Sequence, residues 1–355
     1  MGNEGTANTR RYRVVQWGTG NVGARALRRA IEHPHLELVG VYVYGPDKIG
    51  KDAGELAGIS QVGVKATNRI EDVLALKPDC VLYMPQYTNL DDVCRLLESG
   101  TNIVTTRTEF LNPESMDPQM RGRVEAACRR GRTSIHSTGC SPGFVNEALP
   151  LVLSSLQRRI DNLSIMEFAD NSSRNSPQML FEVMGFAEPP GRDLRPRLQH
   201  LRGAFGPSLE LIAKTWGLPL DRVEVSGGIG LARRDVKIAA GLVPAGTVAA
   251  MRTVVSGIRQ GKPLLSFTAT WFVSSDVDTD DGQKWEFRES GWRLALKGDV
   301  PLDVSITYPV APEDYADMTP GLTAHIPLNA VRFVCEAEPG IRTSVELPKI
   351  YPQLS

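Results

Sequence analysis

Residues Arg13 to Ala30 read RVVQWGTGNVGARALRRA: an apolar run, a glycine turn and a helical pattern in direct succession. Gly18, Gly20 and Gly23 give the spacing G-x-G-x-x-G. Each glycine has its own task in such a loop. The first permits a tight strand-to-helix turn, the second lets backbone approach a pyrophosphate, and the third lets the helix pack hard on the strand. The free N–H groups and positive dipole end of the helix then face the phosphates. The spacing alone is weak evidence, since a ligand-free glycine turn has the same letters. Here a strand precedes it, a helix follows it, and a second strand runs from Leu36 to Tyr44. That context predicts a dinucleotide site made by Gly18, Thr19, Gly20, Asn21, Val22 and Gly23.

Outward from the loop, the first 150 residues alternate strand and helix. Apolar runs at Tyr12–Gln16, Leu38–Tyr44, Cys80–Met84, Asn102–Thr105 and Thr133–His136 are separated by helical patterns at Ala24–Glu32, Ile70–Leu76, Asp91–Ser99 and Pro118–Arg130. Short apolar strands between amphipathic helices imply an α/β fold, a doubly wound parallel sheet covered on both faces. After Pro150 the pattern changes. A helix over Leu149–Gln157 and a strand over Leu163–Phe168 precede a Pro- and Arg-rich stretch, Gly185 to Gly203, that reads as a helix and loop. Runs at Arg222–Val225, Val236–Ala240, Thr247–Ile258, Leu264–Val273, Trp285–Glu289, Trp292–Lys297 and Val304–Tyr308 follow, several with period two. These predict a second α+β domain on a mostly antiparallel sheet. The acidic stretch Ser274–Lys284 reads as a solvated hairpin loop, because its carboxylates lack the spacing of a calcium loop. Gly321–Glu336 reads as an apolar helix. The expected organisation is a disordered tail over 1–11, a dinucleotide-binding domain over 12–148, a substrate and dimerisation domain over 149–318, and a C-terminal helix and tail over 319–355 that return to the first domain.

Composition narrows the function. A chain of 355 residues suits two domains. The formal net charge of −1 gives no reason to expect nucleic acid or an anionic membrane as partner. No apolar run reaches the roughly 18 residues of a membrane helix, and no signal-peptide core is visible, so a cytoplasmic protein is expected. The five cysteines are scattered without a C-x-x-C pair, which predicts reduced thiols and no metal site.

With these pieces together the chain resembles the amine dehydrogenases related to 2,4-diaminopentanoate dehydrogenase, whose N-terminal domain is shared with dihydrodipicolinate reductase. The matching stretches are VVQWGTGNVG, VGVYVYGPDKIGKDAGELAG, TTRTEFLNP, STGCSPGFVNEALPLVL and the final helix ending in AEPGI. The resemblance implies an NAD(P)H-dependent enzyme that interconverts a carbonyl compound plus ammonia with an amine. It also implies a homodimer built through the second domain. One departure matters. Dihydrodipicolinate reductases carry a His-His pair, a Lys and a D-A-P-S-G-T run in the substrate domain, whereas this chain has MEFADNSSRNSPQML there. Their activity is therefore not expected.

Ligands of doubly wound sheets lie outside the carboxyl ends of the strands. Three segments leave on that edge: the glycine loop, the stretch PQYT with Pro85, and the stretch with Thr106, Arg107 and Glu109. Glu109 reads either as a surface carboxylate paired with Arg107 or as the group that handles protons. The resemblance implies the second, an acid/base role at this glutamate. A carboxylate suits amination chemistry because it can hold an ammonium or iminium cation, take a proton from ammonium and return it to a departing hydroxyl. His136 reads as a packed histidine. Phe144 and Asn146 are candidates for a substrate pocket, with Phe168, Asn171, Met179 and Trp271 weaker. The pocket looks short of fixed cations, which favours a neutral substrate over a keto acid. At the end of the second strand no acid stands at the tip, while Lys48 and Lys51 are close, so NADP is favoured; Asp47 leaves NAD open. Asn329, among apolar residues of the last helix, reads as a nicotinamide contact by the family's pattern or as a packing residue. A generic carbonyl or imine reductase and a non-catalytic dinucleotide sensor remain the competing functions.

Overall fold

The computed structural model describes residues 10–354, apart from the side chains of 312, 313, 316 and 317. The tail expected over residues 1–11 falls, but for its last two residues, outside the described residues. The chain divides into two units: Phe144–Thr319, and the residues before it joined by Pro320–Ser355. The boundary thus falls a few residues before the expected one at 148.

The first unit alternates strand and helix: β1 (Tyr12–Trp17), α1 (Asn21–Glu32), β2 (Leu36–Tyr42), α2 (Ala53–Ala57), β3 (Ala66–Thr67), α3 (Ile70–Ala75), β4 (Cys80–Tyr83), α4 (Leu90–Glu98), β5 (Asn102–Thr105), α5 (Pro118–Gly131) and β6 (Ser134–Ser137). A late strand, β16 (Gly340–Arg342), completes a seven-stranded sheet in the order β16-β6-β5-β4-β1-β2-β3. All of its pairings are parallel. The two faces follow from the period-two alternation of strands. Val15, Trp17, Val81, Tyr83 and Ile103 pack against α4 and α5 residues such as Leu96 and Val124. Val14, Leu82 and Val104 pack against Ala26 and Ala30 of α1 and against Leu328 and Val331. The order reverses between β1 and β4, which opens a crevice at their carboxyl ends.

The second unit holds α6 (Leu149–Ser154), β7 (Ile160–Asp170), α7 (Arg195–Thr215), β8 (Arg222–Ala232), β9 (Val236–Ile238), β10 (Gly241–Val243), β11 (Val248–Arg259), β12 (Lys262–Phe272), β13 (Val277–Thr279), β14 (Gly291–Gly298) and β15 (Leu302–Thr307). Its main sheet runs β13-β8-β11-β12-β7-β14-β15 and is antiparallel except where β12 meets β7. The long helix α7 covers one face, with Phe205 stacked on Phe267 at 3.8 Å between centroids. A final helix, α8 (Pro312–Cys335), ends in the first unit.

The helix and loop read over Gly185–Gly203 contain the start of α7, which runs on to Thr215 and accommodates Pro207 in its interior. Two expectations are corrected. Trp285–Glu289 forms no strand; Trp285 is instead buried, its indole donating to Asp281. Part of the acidic stretch is not loop, because β13 pairs with β8 there.

Candidate active site

The glycine loop occupies the carboxyl end of β1. Gly18 has φ +88°, and a β-carbon there would lie 2.8 Å from the Met84 carbonyl oxygen. A β-carbon on Gly23 would lie 2.2 Å from the Gly18 carbonyl, so the first turn of α1 packs against the loop only as glycine. Gly20 is different. Its φ is −73° and a β-carbon would meet nothing within 4 Å. That opening faces a helix start with no side-chain cap and no acidic residue in its first turn. An unfilled space beside uncapped N–H groups fits a phosphate. Gln16, buried beneath the loop, donates from Nε2 to the Gly18 carbonyl at 2.9 Å. Sequence reasoning passed it over, although a polar residue in an apolar strand was the signal.

Around this loop, Lys48 donates from Nζ to the Thr19 carbonyl and hydroxyl at 3.0 and 3.2 Å. Lys48 is thus anchored to the loop. Pro85 follows Met84 directly, and its nitrogen would lie 3.6 Å from a β-carbon at Gly18. Trp17 stacks on Tyr42 and donates its indole N–H to the Tyr44 hydroxyl.

Glu109 sits in a short 3-10 turn, Thr108–Phe110, that follows β5. The buried side chain of Phe110 anchors the turn in the core. Oε1 accepts from Arg107 at 2.7 Å and from the Thr88 hydroxyl at 3.0 Å. Arg107 is itself fixed: it donates to the Gln86 carbonyl at 2.7 Å and from Nε to Thr88 at 3.2 Å. Ser137 holds the Arg107 carbonyl at 2.8 Å. The second carboxylate oxygen, Oε2, is enclosed and accepts no hydrogen bond. Burying such an acceptor unpaired is costly, and Gln16 Oε1 beneath the loop is likewise without a partner. Thr106 lies half-buried in the same segment. The ion pair weighed as the plain reading of Glu109 is present, and it leaves one oxygen over.

Asn329 does not join this group. It lines a small cleft with Tyr12, His33 and Leu36, at the amino ends of β1 and β2 and thus at the opposite edge of the sheet. Thr323 of α8 lies toward the carboxyl edge, 3.4 Å from a β-carbon built at Gly139. Asn329 therefore belongs to the packing of α8, and the expected nicotinamide contact is withdrawn. His136 is buried, with Nδ1 2.7 Å from the Arg342 carbonyl. Burial pushes its imidazole down to about 4.

The pocket candidates lie in the second unit. Phe144 is 42% exposed, whereas Asn146 is buried with neither amide atom hydrogen-bonded. Asn171 follows β7, and its backbone N–H donates to the Phe272 carbonyl. Phe168 and Glu167 alternate along β7, so Phe168 faces away from Trp271, which donates to Glu167 at 2.9 Å.

Comparison with known proteins supplies the family. Residues 12–117 match the family model described as the N-terminus of dihydrodipicolinate reductase. An amine dehydrogenase of Streptomyces virginiae is 30% identical over 346 residues, spanning 94% of this chain and 96% of the relative. The chain belongs to the amine dehydrogenase family. It is accordingly a nicotinamide-dinucleotide-dependent oxidoreductase. The solved amine dehydrogenase of Mycobacterium smegmatis shares the fold, with a TM-score of 0.74 at 19% identity over 98% of both chains. A 4-hydroxy-tetrahydrodipicolinate reductase of Synechocystis is 24% identical, over 55% of this chain and 73% of that protein. Among the described residues no helix is long and apolar enough to cross a membrane, and no His, Cys, Asp and Glu group gathers to hold a metal.

Proposed function

We propose that this amine dehydrogenase catalyses the reversible reductive amination of a small or medium ketone or aldehyde with ammonia, with Glu109 as the acid/base residue. The single observation that carries the reading is the enclosed, unbonded Oε2 of a carboxylate whose other oxygen is committed to Arg107 and Thr88. One oxygen fixes the group, and the other accepts from a nitrogen cation. Glu109 takes a proton from ammonium, and the freed amine adds to the carbonyl carbon. The same carboxyl returns the proton to the hydroxyl, which departs as water and leaves an iminium cation held at Oε2. A reduced nicotinamide held at the glycine loop would supply the hydride.

NADP is the proposed cofactor, with NAD possible, held by the glycine loop together with Pro85 and Thr106. Lys48 supports the choice, since its ammonium is fixed at Thr19 and β2 ends without an acid. The protein is proposed to be cytoplasmic and homodimeric through the second domain; the dimer rests on the family. Phe144, Asn146 and Asn171 are retained as substrate contacts. The unsatisfied amide of Asn146 supports that role most directly.

Glu109→Gln tests the mechanism. The amide keeps the shape and loses proton exchange. Cofactor affinity should be unchanged and amination should fall by about a hundredfold or more, the scale of losing a general acid/base. Near-normal amination by this variant would make the carboxylate structural and the mechanism wrong.

A further inference from the structure

The short stretch between β4 and α4 is pinned on both sides of Thr88. The Tyr83 hydroxyl accepts from the Asn89 backbone N–H at 3.0 Å, and the Gln86 carbonyl accepts from Arg107 at 2.7 Å. Asn89 in turn caps α4, accepting from the N–H groups of Asp91 and Asp92. Arg107 is pinned as well. Its backbone N–H donates to the Thr105 hydroxyl at 3.0 Å, and that hydroxyl donates to the Tyr83 carbonyl at 2.7 Å. Its carbonyl accepts from Ser137 at 2.8 Å. The carboxyl ends of β4, β5 and β6 thus hold the two side chains that meet one oxygen of Glu109.

The three side chains close a ring, and the chemistry of each sets its direction. A guanidinium has donors only. Arg107 donates from Nη2 to Glu109 Oε1 at 2.7 Å and from Nε to the Thr88 hydroxyl at 3.2 Å. A hydroxyl has a single hydrogen. Because Thr88 receives from Arg107, that hydrogen is turned to Oε1, at 3.0 Å between the oxygens. Oε1 therefore faces two hydrogens. A proton on Oε1 would oppose both and forfeit their bonds. Oε2 is enclosed and accepts from no donor among the described residues, so it alone has room for a proton.

We propose that Thr88 and Arg107 are positioning residues that confine the Glu109 proton to Oε2. The proton taken from ammonium and the proton returned to the departing hydroxyl then pass through one oxygen, at one place. With Oε1 open, part of the acid form would carry its proton toward Arg107, where it serves no substrate. The inference rests on the acid/base reading of Glu109 and adds what directs the proton.

Infrared difference spectroscopy of the full-length protein on acidification reads the proton without any substrate. The Glu109→Gln variant identifies the Glu109 carboxyl band by its loss. With the proton on Oε2, the C=O oxygen of the acid is Oε1, and its two hydrogen bonds lower the stretching frequency. Thr88→Val removes one of them and should move the band to higher frequency, whereas Thr88→Ser should leave it in place. Arg107→Lys keeps a cation, loses the planar fork and should shift the band as Thr88→Val does. The same variants are then assayed with acetone, butanone and cyclopentanone, NADPH and ammonium chloride. Thr88→Val should lower kcat by about tenfold, the scale of one charge-assisted hydrogen bond, with KM and NADPH affinity held. Thr88→Ser should retain most of the parent rate. If Thr88→Val does not fold, Thr88→Ala against Thr88→Ser carries the same comparison. A band that stays in place in Thr88→Val, a loss equal in the Ser and Val variants, or an unchanged kcat in Thr88→Val while Glu109→Gln is inactive overturns the proposal. A band that moves as expected, in a protein whose Glu109→Gln variant aminates normally, supports the placing of the proton and overturns only the acid/base reading.

Discussion

At Gly20 the conformation is ordinary and the space beyond the α-carbon is empty, whereas Gly18 and Gly23 each have a carbonyl where a β-carbon would go. The three glycines of one motif are therefore needed for different reasons. Gly18 and Gly23 serve the fold, and Gly20 serves whatever fills the opening. Gly20→Val should leave the melting temperature nearly unchanged and weaken NADPH binding by on the order of tenfold or more, since a side chain displaces charge-assisted contacts to phosphate. Fluorescence titration of NADPH reads the affinity, and equal dissociation constants for parent and variant would remove the dinucleotide from this loop. Residue by residue, the glycine spacing was legible because its chemistry is local. Glu109 stood out by its place after a strand, but the fate of its two oxygens did not. That depends on Thr88 and Arg107, which only the packed sheet brings to it.

Among the elements, the central strands were legible because each is a short apolar run between turn signals, and Asn102–Thr105 was read with the bounds it has. The failures have physical causes. The extent of α7 was missed because Gly203, Gly206 and the interior Pro207 argue locally against a helix, whereas Pro196 suits its first turn; burial of Phe205 and Leu209 on the sheet overrides the local preference. The stretch Trp285–Glu289 looks like a strand by composition, yet no neighbouring strand takes up its backbone. The short elements α2, β3 and β16 are too brief for any period to show. The strand β6 carries a consequence for pH. The Arg342 carbonyl only accepts, so His136 Nδ1 is the donor, and protonation would place a buried N–H on Nε2, which has no partner. The folded-state imidazole is thereby held at about 4, below its unfolded value near 6.5. A lowered histidine binds fewer protons in the folded state, so its contribution is complete above about pH 6.5 and is lost as pH falls toward 4. The gap corresponds to about 3 kcal/mol at most. His136→Gln keeps a donor for Arg342 and does not titrate, so its melting temperature should fall less steeply across that window. A slope identical to that of the parent would mean that His136 does not control acid stability.

Over the whole molecule, the two-unit organisation was readable from the change of pattern after Pro150, but the course of the last helix was not. The apolar face of α8 is visible in sequence; which end of the sheet each residue meets is not. The helix runs from Thr323 near Gly139, past the carboxyl end of β6, to Glu336, which accepts from the Tyr12 hydroxyl at 2.7 Å at the amino end of β1. Asn329 falls to the wrong edge for that reason alone. What the first unit offers at its carboxyl edge bears directly on the reaction. A ketone reductase stabilises a developing alkoxide with a proton donor beside the carbonyl. Burial raises the pKa of Tyr42 and Tyr83 at this edge, which disfavours them as proton donors. The charged group there with an unpaired acceptor oxygen is the Glu109 carboxylate, which repels an alkoxide and attracts an iminium cation. With a carbonyl substrate and NADPH, turnover should therefore require ammonium and give amine with no alcohol. At fixed total ammonium the rate should climb on the alkaline side, as the nucleophilic free base becomes a larger share. Chromatographic product analysis with and without ammonium decides it: alcohol formed at a comparable rate in its absence would leave a dinucleotide-dependent carbonyl reductase on this fold and remove ammonia from the mechanism.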